Sequence, residues 1–86
     1  MIRVFLADDH AIVRHGLRKL IEEEPDMTVV GEASNGRAVL TAEARDTWDL
    51  LVLDLSLPKV GGIEVLRRLR AELPRLRIMI LSMYPE

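Results

Sequence analysis

The chain has 86 residues, 49% hydrophobic and 30% charged, a size that bounds it at one small domain with a modest core. Its 12 basic and 14 acidic residues leave a net charge of -2, which lacks the electrostatic footprint of a nucleic-acid binder, so any DNA contact must lie elsewhere. With no Cys there is no disulfide framework, thiolate metal site or thiol nucleophile, and no apolar run nears the roughly 18 residues of a membrane span, so a cytoplasmic location is the default expectation.

In chain order, Ile2 to Ala7 (IRVFLA) predicts a strand, stopped sharply by Asp8, Asp9 and His10. Val13, Leu17, Leu20 and Ile21 form the i, i+4, i+7, i+8 stripe of an amphipathic helix that ends before Pro25. Met27 to Ala33 (MTVVGEA) predicts a second strand. Ser34, Asn35 and Gly36 then make a turn suited to cap a helix over about Arg37 to Arg45, with a small apolar face of Ala38, Val39 and Ala42. Leu50 to Asp54 predicts a third strand. Gly62 to Leu73 predicts a third helix with Ile63, Leu66, Leu69 and Leu73 inward, ended by Pro74, and Leu76 to Ser82 a fourth strand.

Strands alternating with helices predict an α/β fold, a doubly wound parallel sheet covered on both faces, in one domain over residues 1–86. Asp54 is the odd residue of its strand, since an isolated carboxylate among Leu51, Val52, Leu53 and Leu55 costs several kcal/mol to desolvate. The carboxyl ends of parallel strands share one edge, where ligands bind. Asp8 and Asp9 follow strand one and Asp54 closes strand three, so if those strands are neighbours three carboxylates crowd together. Taken singly, each reads equally well as a turn or cap residue; the conjunction makes a site. A hard divalent cation resolves the repulsion, Mg²⁺ suits a few carboxylates plus a carbonyl and waters, and a metal-bound carboxylate at a strand tip is a competent nucleophile for a phosphoryl group.

The motifs LADDHAIVRHGL, VVGEASNG, LVLDLSLPKVGGIEVL and IMILSMY, with the spacing Asp54-x-x-x-Pro58-x-x-Gly61, give the chain its resemblance to the receiver domain of two-component response regulators, particularly the LuxR/NarL/FixJ-type subfamily. The resemblance implies a flavodoxin-like receiver fold with Asp54 as phosphoacceptor. It implies Mg²⁺ held by Asp8, Asp9, Asp54 and the backbone carbonyl of Ser56, with Asp9 the direct ligand of the pair and the Ser56 side chain incidental. Ser82 matches the family's switch hydroxyl. The implied partner is a sensor histidine kinase, DNA being reached only through an output domain, and the domain is no enzyme beyond catalysing its own phosphorylation and dephosphorylation.

The sequence departs from the family pattern at its end. The family has five βα units, with a switch aromatic on strand five and a Lys after it that pairs with the phosphoryl group, whereas this sequence stops after strand four and reads as incomplete at the C-terminus. Lys59 reads as a solvated loop residue and Lys19 lies on helix one, so neither replaces that Lys. Strand four becomes the border of a 2-1-3-4-5 strand order, so self-association of the fragment is expected. Two other functions compete. An Asp-nucleophile phosphohydrolase usually carries a second Asp two residues after the nucleophile, where Ser56 stands, and a phosphorylation-silent self-associating module would carry no label. His10 and His15 read as exposed polar positions, because Mg²⁺ prefers oxygen, and Arg67, Arg68, Arg70, Arg75 and Arg77 as a solvated basic face.

Overall fold

The structure, a computed structural model, describes residues 1–81; Ser82, the expected switch hydroxyl, lies outside the described residues. Four strands, β1 (Ile2–Ala7), β2 (Met27–Ala33), β3 (Leu50–Asp54) and β4 (Arg77–Leu81), form one parallel sheet in the order β2-β1-β3-β4. Between them run α1 (Ala11–Glu22), α2 (Gly36–Leu40) and α3 (Gly62–Glu72). This is the expected flavodoxin-like α/β arrangement. Placing β1 beside β3, with Ala7 opposite Leu53, brings the chain after β1 next to the tip of β3.

Strand alternation divides the core into two layers. Val4, Leu6, Val29 and Val52 point to the α1 side, where Leu17 and Ile21 pack on them. Phe5, Ala7, Leu51 and Leu53 point to the other face, against Val39, Val65 and Leu69. Trp48 closes that layer near the amino ends of the strands, stacked on Phe5 with ring centroids 4.0 Å apart.

The helices differ from their sequence-based expectation in instructive ways. At 100° per residue Leu20 falls to the rim of the α1 stripe and is 64% exposed. In α3 the buried side chains are Val65 and Leu69, with Leu66 and Leu73 packed beside them. Ile63, two residues and therefore about 200° before Val65, is 64% exposed rather than inward. The second helix is shorter than the expected span to Arg45. Asn35 caps it as expected, its Oδ1 accepting the Ala38 N–H at 2.9 Å, but the Thr41 hydroxyl donates back to the Arg37 carbonyl at 2.9 Å and the helix ends at Leu40. A 3₁₀ turn at Arg45–Thr47 follows Ala44, which is left-handed at φ 57°.

An ion-pair cluster ties α1 to β2: Arg14 and Arg18 both bond the Glu32 carboxylate. The Arg18 hydrogen bond foremost, and then that of Arg14, holds the Glu32 carboxyl below its ordinary value of 4.5. A carboxyl depressed in the folded state adds stability that is present above its unfolded pKa and lost as pH falls through the folded one. Glu32→Gln is therefore expected to flatten the acid limb of the stability curve below about pH 4.5 and leave the slope near neutrality alone. Urea midpoints across pH read this directly, and an unchanged acid slope in the variant would refute the assignment.

Candidate functional site

Asp8 and Asp54 meet at the carboxyl edge of the sheet. Asp54 is the last residue of β3, and Asp8 follows β1 with its N–H donated to the Ala33 carbonyl at 3.1 Å. Both side chains are only 1% exposed. Asp9, one residue further along, is about one-third exposed. The carboxylates of Asp8, Asp9 and Asp54 and a ring nitrogen of His10 offer ligand atoms that all lie within 4.8 Å of one another.

The same local device orients both buried carboxylates. Asp8 Oδ1 accepts the backbone N–H of His10 at 2.7 Å and lies 3.0 Å from its Nδ1. Asp54 Oδ1 accepts the backbone N–H of Ser56 at 2.9 Å and its hydroxyl at 2.8 Å. Each is an Asx turn, an Asp receiving the N–H two residues on, reinforced by the side chain of that residue. In both, the second oxygen, Oδ2, is buried and has no hydrogen-bond partner. Two orphaned carboxylate oxygens, on residues that each offer a ligand atom within 4.8 Å of the other's, form a donor set that a hard divalent cation accepts.

The structure thus brings together Asp8, Asp9 and Asp54, and puts Ser56 beside Asp54 with its hydroxyl engaged rather than incidental. His10, an exposed polar position by sequence, is indeed 50% exposed, yet its Nδ1 contacts Asp8, Asp9 and, at 3.7 Å, Asp54 Oδ2. The Asp8 hydrogen bond foremost, with the Asp9 charge next, raises the His10 pKa above 6.5. The signal was present in sequence: Asp8-x-His10 and Asp54-x-Ser56 share one turn-forming spacing.

The loop after Asp54 is held from both sides. The Pro58 carbonyl accepts the Gly36 N–H at 3.0 Å, and Lys59 and Val60 are left-handed at φ 51° and 50°, a strain of about 1–3 kcal/mol each. Lys59 is exposed, and His15 is exposed on α1. In the arginine-rich stretch Arg67 and Arg68 pair with Glu64, and Arg70 donates to the Leu76 carbonyl, so much of that basic face is spent on local partners. An open depression of about 840 Å³ lies at the opposite edge, at the amino ends of the strands, lined by Ile2, Met27, Trp48, Leu50 and Leu73 among others. It holds none of the clustered carboxylates.

A family profile for the response regulator receiver domain matches residues 4–86. This chain belongs to that family. Among curated relatives, the receiver domain is 42% identical over 84 residues to the DNA-binding transcriptional activator DevR/DosR of Mycobacterium tuberculosis, covering 98% of this chain and 39% of the relative. It is 45% identical over 80 residues to the nitrate/nitrite response regulator protein NarL of Escherichia coli, covering 92% of this chain and 37% of the relative. The receiver domain thus spans well under half the length of these relatives, both named as regulators of transcription or response. It superposes with a TM-score of 0.89, at 32% identity, on RcsB from Salmonella enterica serovar Typhimurium bound to promoter rprA in the presence of phosphomimetic BeF3⁻, covering all of this chain and 72% of that one. Among the described residues of the receiver domain, no helix is long and apolar enough to cross a membrane.

Proposed function

We propose that residues 1–86 are the phosphoacceptor unit of a two-component transcriptional response regulator, with Asp54 as the acceptor and a sensor histidine kinase as the donor. The observation that carries this reading is the pair of buried, unpartnered oxygens, Asp8 Oδ2 and Asp54 Oδ2, at the carboxyl edge of a parallel sheet. A domain of this size retains two such groups at a cost in stability, which points to use rather than packing. In the transfer, a carboxylate oxygen of Asp54 attacks phosphorus while the P–N bond to the donor histidine breaks. The bond's electron pair leaves on the imidazole, which takes up a proton, and an acyl phosphate remains on Asp54.

Asp8, Asp9, Asp54 and the backbone carbonyl of Ser56 would hold Mg²⁺, an all-oxygen set that suits a hard cation. When bound, that ion supplies positive charge against the repulsion between carboxylates and incoming phosphoryl oxygens. The protein's own groups do the positioning: the Ser56 N–H and hydroxyl fix the Asp54 carboxylate in one orientation and leave Oδ2 free. Ser82 is assigned the switch hydroxyl from sequence. The unit works in the cytoplasm and meets DNA through an output domain outside these 86 residues, in keeping with its net charge of -2. RcsB bound to promoter DNA with a phosphomimetic supports the same assignment by likeness.

Incubation with Mg²⁺ and a small phosphodonor, followed by mass spectrometry, tests the reading. One phosphoryl adduct on the wild type and none on Asp54→Asn is expected. Undiminished label in the variant refutes the acceptor, steady phosphate release without adduct indicates a phosphohydrolase, and neither signal indicates a phosphorylation-silent module. A second reading concerns partners. Among the described residues β4 pairs with β3 alone, and its Met79 and Ile80 are exposed, so the chain is expected to self-associate through this strand. Light scattering at high micromolar concentration checks this; a monomer whose β4 amides exchange freely refutes it.

A further inference from the structure

We infer that Asn35 is a site of deamidation, and that the loop following Asp54 times the reaction, because that loop holds the backbone nitrogen of Gly36 that must attack. The inference stands apart from the phosphoacceptor reading and needs neither a cation nor a phosphoryl donor.

The sequence supplies the reactive pair. Asn35 is followed by Gly36, which has no side chain to hinder closure of a five-membered ring. Asn35 is also the only side-chain amide among the 86 residues, which contain no Gln. In the reaction the Gly36 nitrogen gives up its proton to hydroxide and bonds the Asn35 Cγ, the Cγ–Nδ2 bond breaks, and Nδ2 leaves as ammonia after taking a proton from water. Water then opens the cyclic imide. Attack at Cγ leaves aspartate, whereas attack at the backbone carbonyl carbon leaves isoaspartate, whose main chain is one carbon longer.

The fold holds each participant apart. The Gly36 N–H donates to the Pro58 carbonyl at 3.0 Å, and Asn35 Oδ1 accepts the Ala38 N–H at 2.9 Å. The Asn35 backbone is extended, at φ −153° and ψ 162°, so the Gly36 nitrogen must also swing about ψ before it meets Cγ. Loop backbone lies directly against it: a Cβ on the buried Gly36 would stand 2.6 Å and 2.7 Å from the carbonyl oxygens of Lys59 and Val60. The same loop is the weak member of the clamp. Lys59 and Val60 are consecutive and both left-handed, and opening releases their strain. A local opening breaks the Gly36 contact with Pro58 and frees the nucleophile while the strands stay paired.

The products differ in what they do to the fold. Aspartate caps α2 as asparagine does and adds a negative charge at the favourable end of the helix. Isoaspartate displaces the Gly36 N–H by the extra carbon, so the Pro58 contact does not re-form and the loop after Asp54 loses its fastening.

Incubation of the 86-residue chain at mildly alkaline pH, followed by intact mass spectrometry, reads the reaction without peptide mapping, since any amide-to-acid gain reports Asn35 alone. The expected rate in buffer is measurable but slower by about tenfold or more than in denaturing urea, and it stays flat across urea concentrations below unfolding, because a local opening exposes little surface. Pro58→Gly leaves the carbonyl in place and loosens the loop; it is expected to speed the native reaction about two- to fivefold and to match wild type in denaturing urea. Equal rates in the folded and unfolded chain, or no effect of Pro58→Gly on the native rate, overturn the timing by the loop. So does a native rate that climbs with urea as steeply as global unfolding, or no native reaction at all. No mass gain even in denaturing urea overturns the site itself.

Discussion

Replacing Gly62 with alanine is expected to lower the melting temperature by about 10–20 °C, whereas the same change at Gly16 is expected to raise it by about 5 °C. Gly62 opens α3, with its N–H on the Leu55 carbonyl at 3.3 Å. A Cβ built there would lie 2.7 Å from the carbonyl oxygens of both Asp54 and Leu55. Neither neighbour is a flexible side chain. Relief requires moving α3 or the end of β3, and overpacking of this kind costs about 2–3 kcal/mol in a domain whose total stability is about 4–13 kcal/mol. Gly16, midway along α1, has nothing within 4 Å of its would-be Cβ, so alanine there gains about 1 kcal/mol of helix propensity without a clash. Trp48, buried and stacked on Phe5, reports unfolding by fluorescence in both variants. A Gly62→Ala protein melting within about 2 °C of wild type would show that the corner absorbs the methyl and that the contact is not limiting.

The spacing motif singles out Gly61, whereas the steric requirement lies on its neighbour Gly62, because a Cβ on Gly61 would meet open space. That is representative of what sequence carried and what it did not. The strand ends and their carboxylates were legible, since short β-rich runs stopped by Asp8 and Asp54 can only place those residues at one edge of a parallel sheet. Helix faces were legible to within one turn. Ile63 and Val65 are both apolar, and only the direction from which Leu51 and Leu53 arrive decides that Val65 is the buried one. The end of α2 depended on a Thr41 hydroxyl choosing a backbone carbonyl, a local competition that periodicity does not register. The placement of His10 was hidden for another reason. A residue opening a helix is normally solvated, and its ring turns inward here because the Asp8 turn fixes its backbone and Asp9 supplies a second acceptor.

Asp54→Asn is expected to stabilise the chain in the presence of a chelator by about 1–2 kcal/mol, raising the melting temperature by about 5–15 °C, even though it removes the proposed phosphoacceptor. In the wild type, Asp54 Oδ2 and Asp8 Oδ2 are both buried without a hydrogen-bond partner, within a cluster of three carboxylates. An amide keeps what stabilises and removes what does not. Its oxygen still accepts the Ser56 N–H and hydroxyl, while its NH₂ puts a donor where a second buried acceptor stood. Among the charges in the cluster, only His10 opposes the carboxylates, and it is half-exposed and free to reorient toward Asp8 and Asp9. Saturating Mg²⁺ should then narrow or reverse the difference, because an ion bound to the folded wild type at 100 times its dissociation constant adds about 2.7 kcal/mol that a weakened variant site forgoes. Denaturant titrations of both proteins, each with chelator and with Mg²⁺, separate the two effects. A variant less stable than wild type in chelator would mean that the carboxylate pair is not a burden on the fold. A gain of equal size with and without Mg²⁺ would mean that the burden is real but that no cation relieves it.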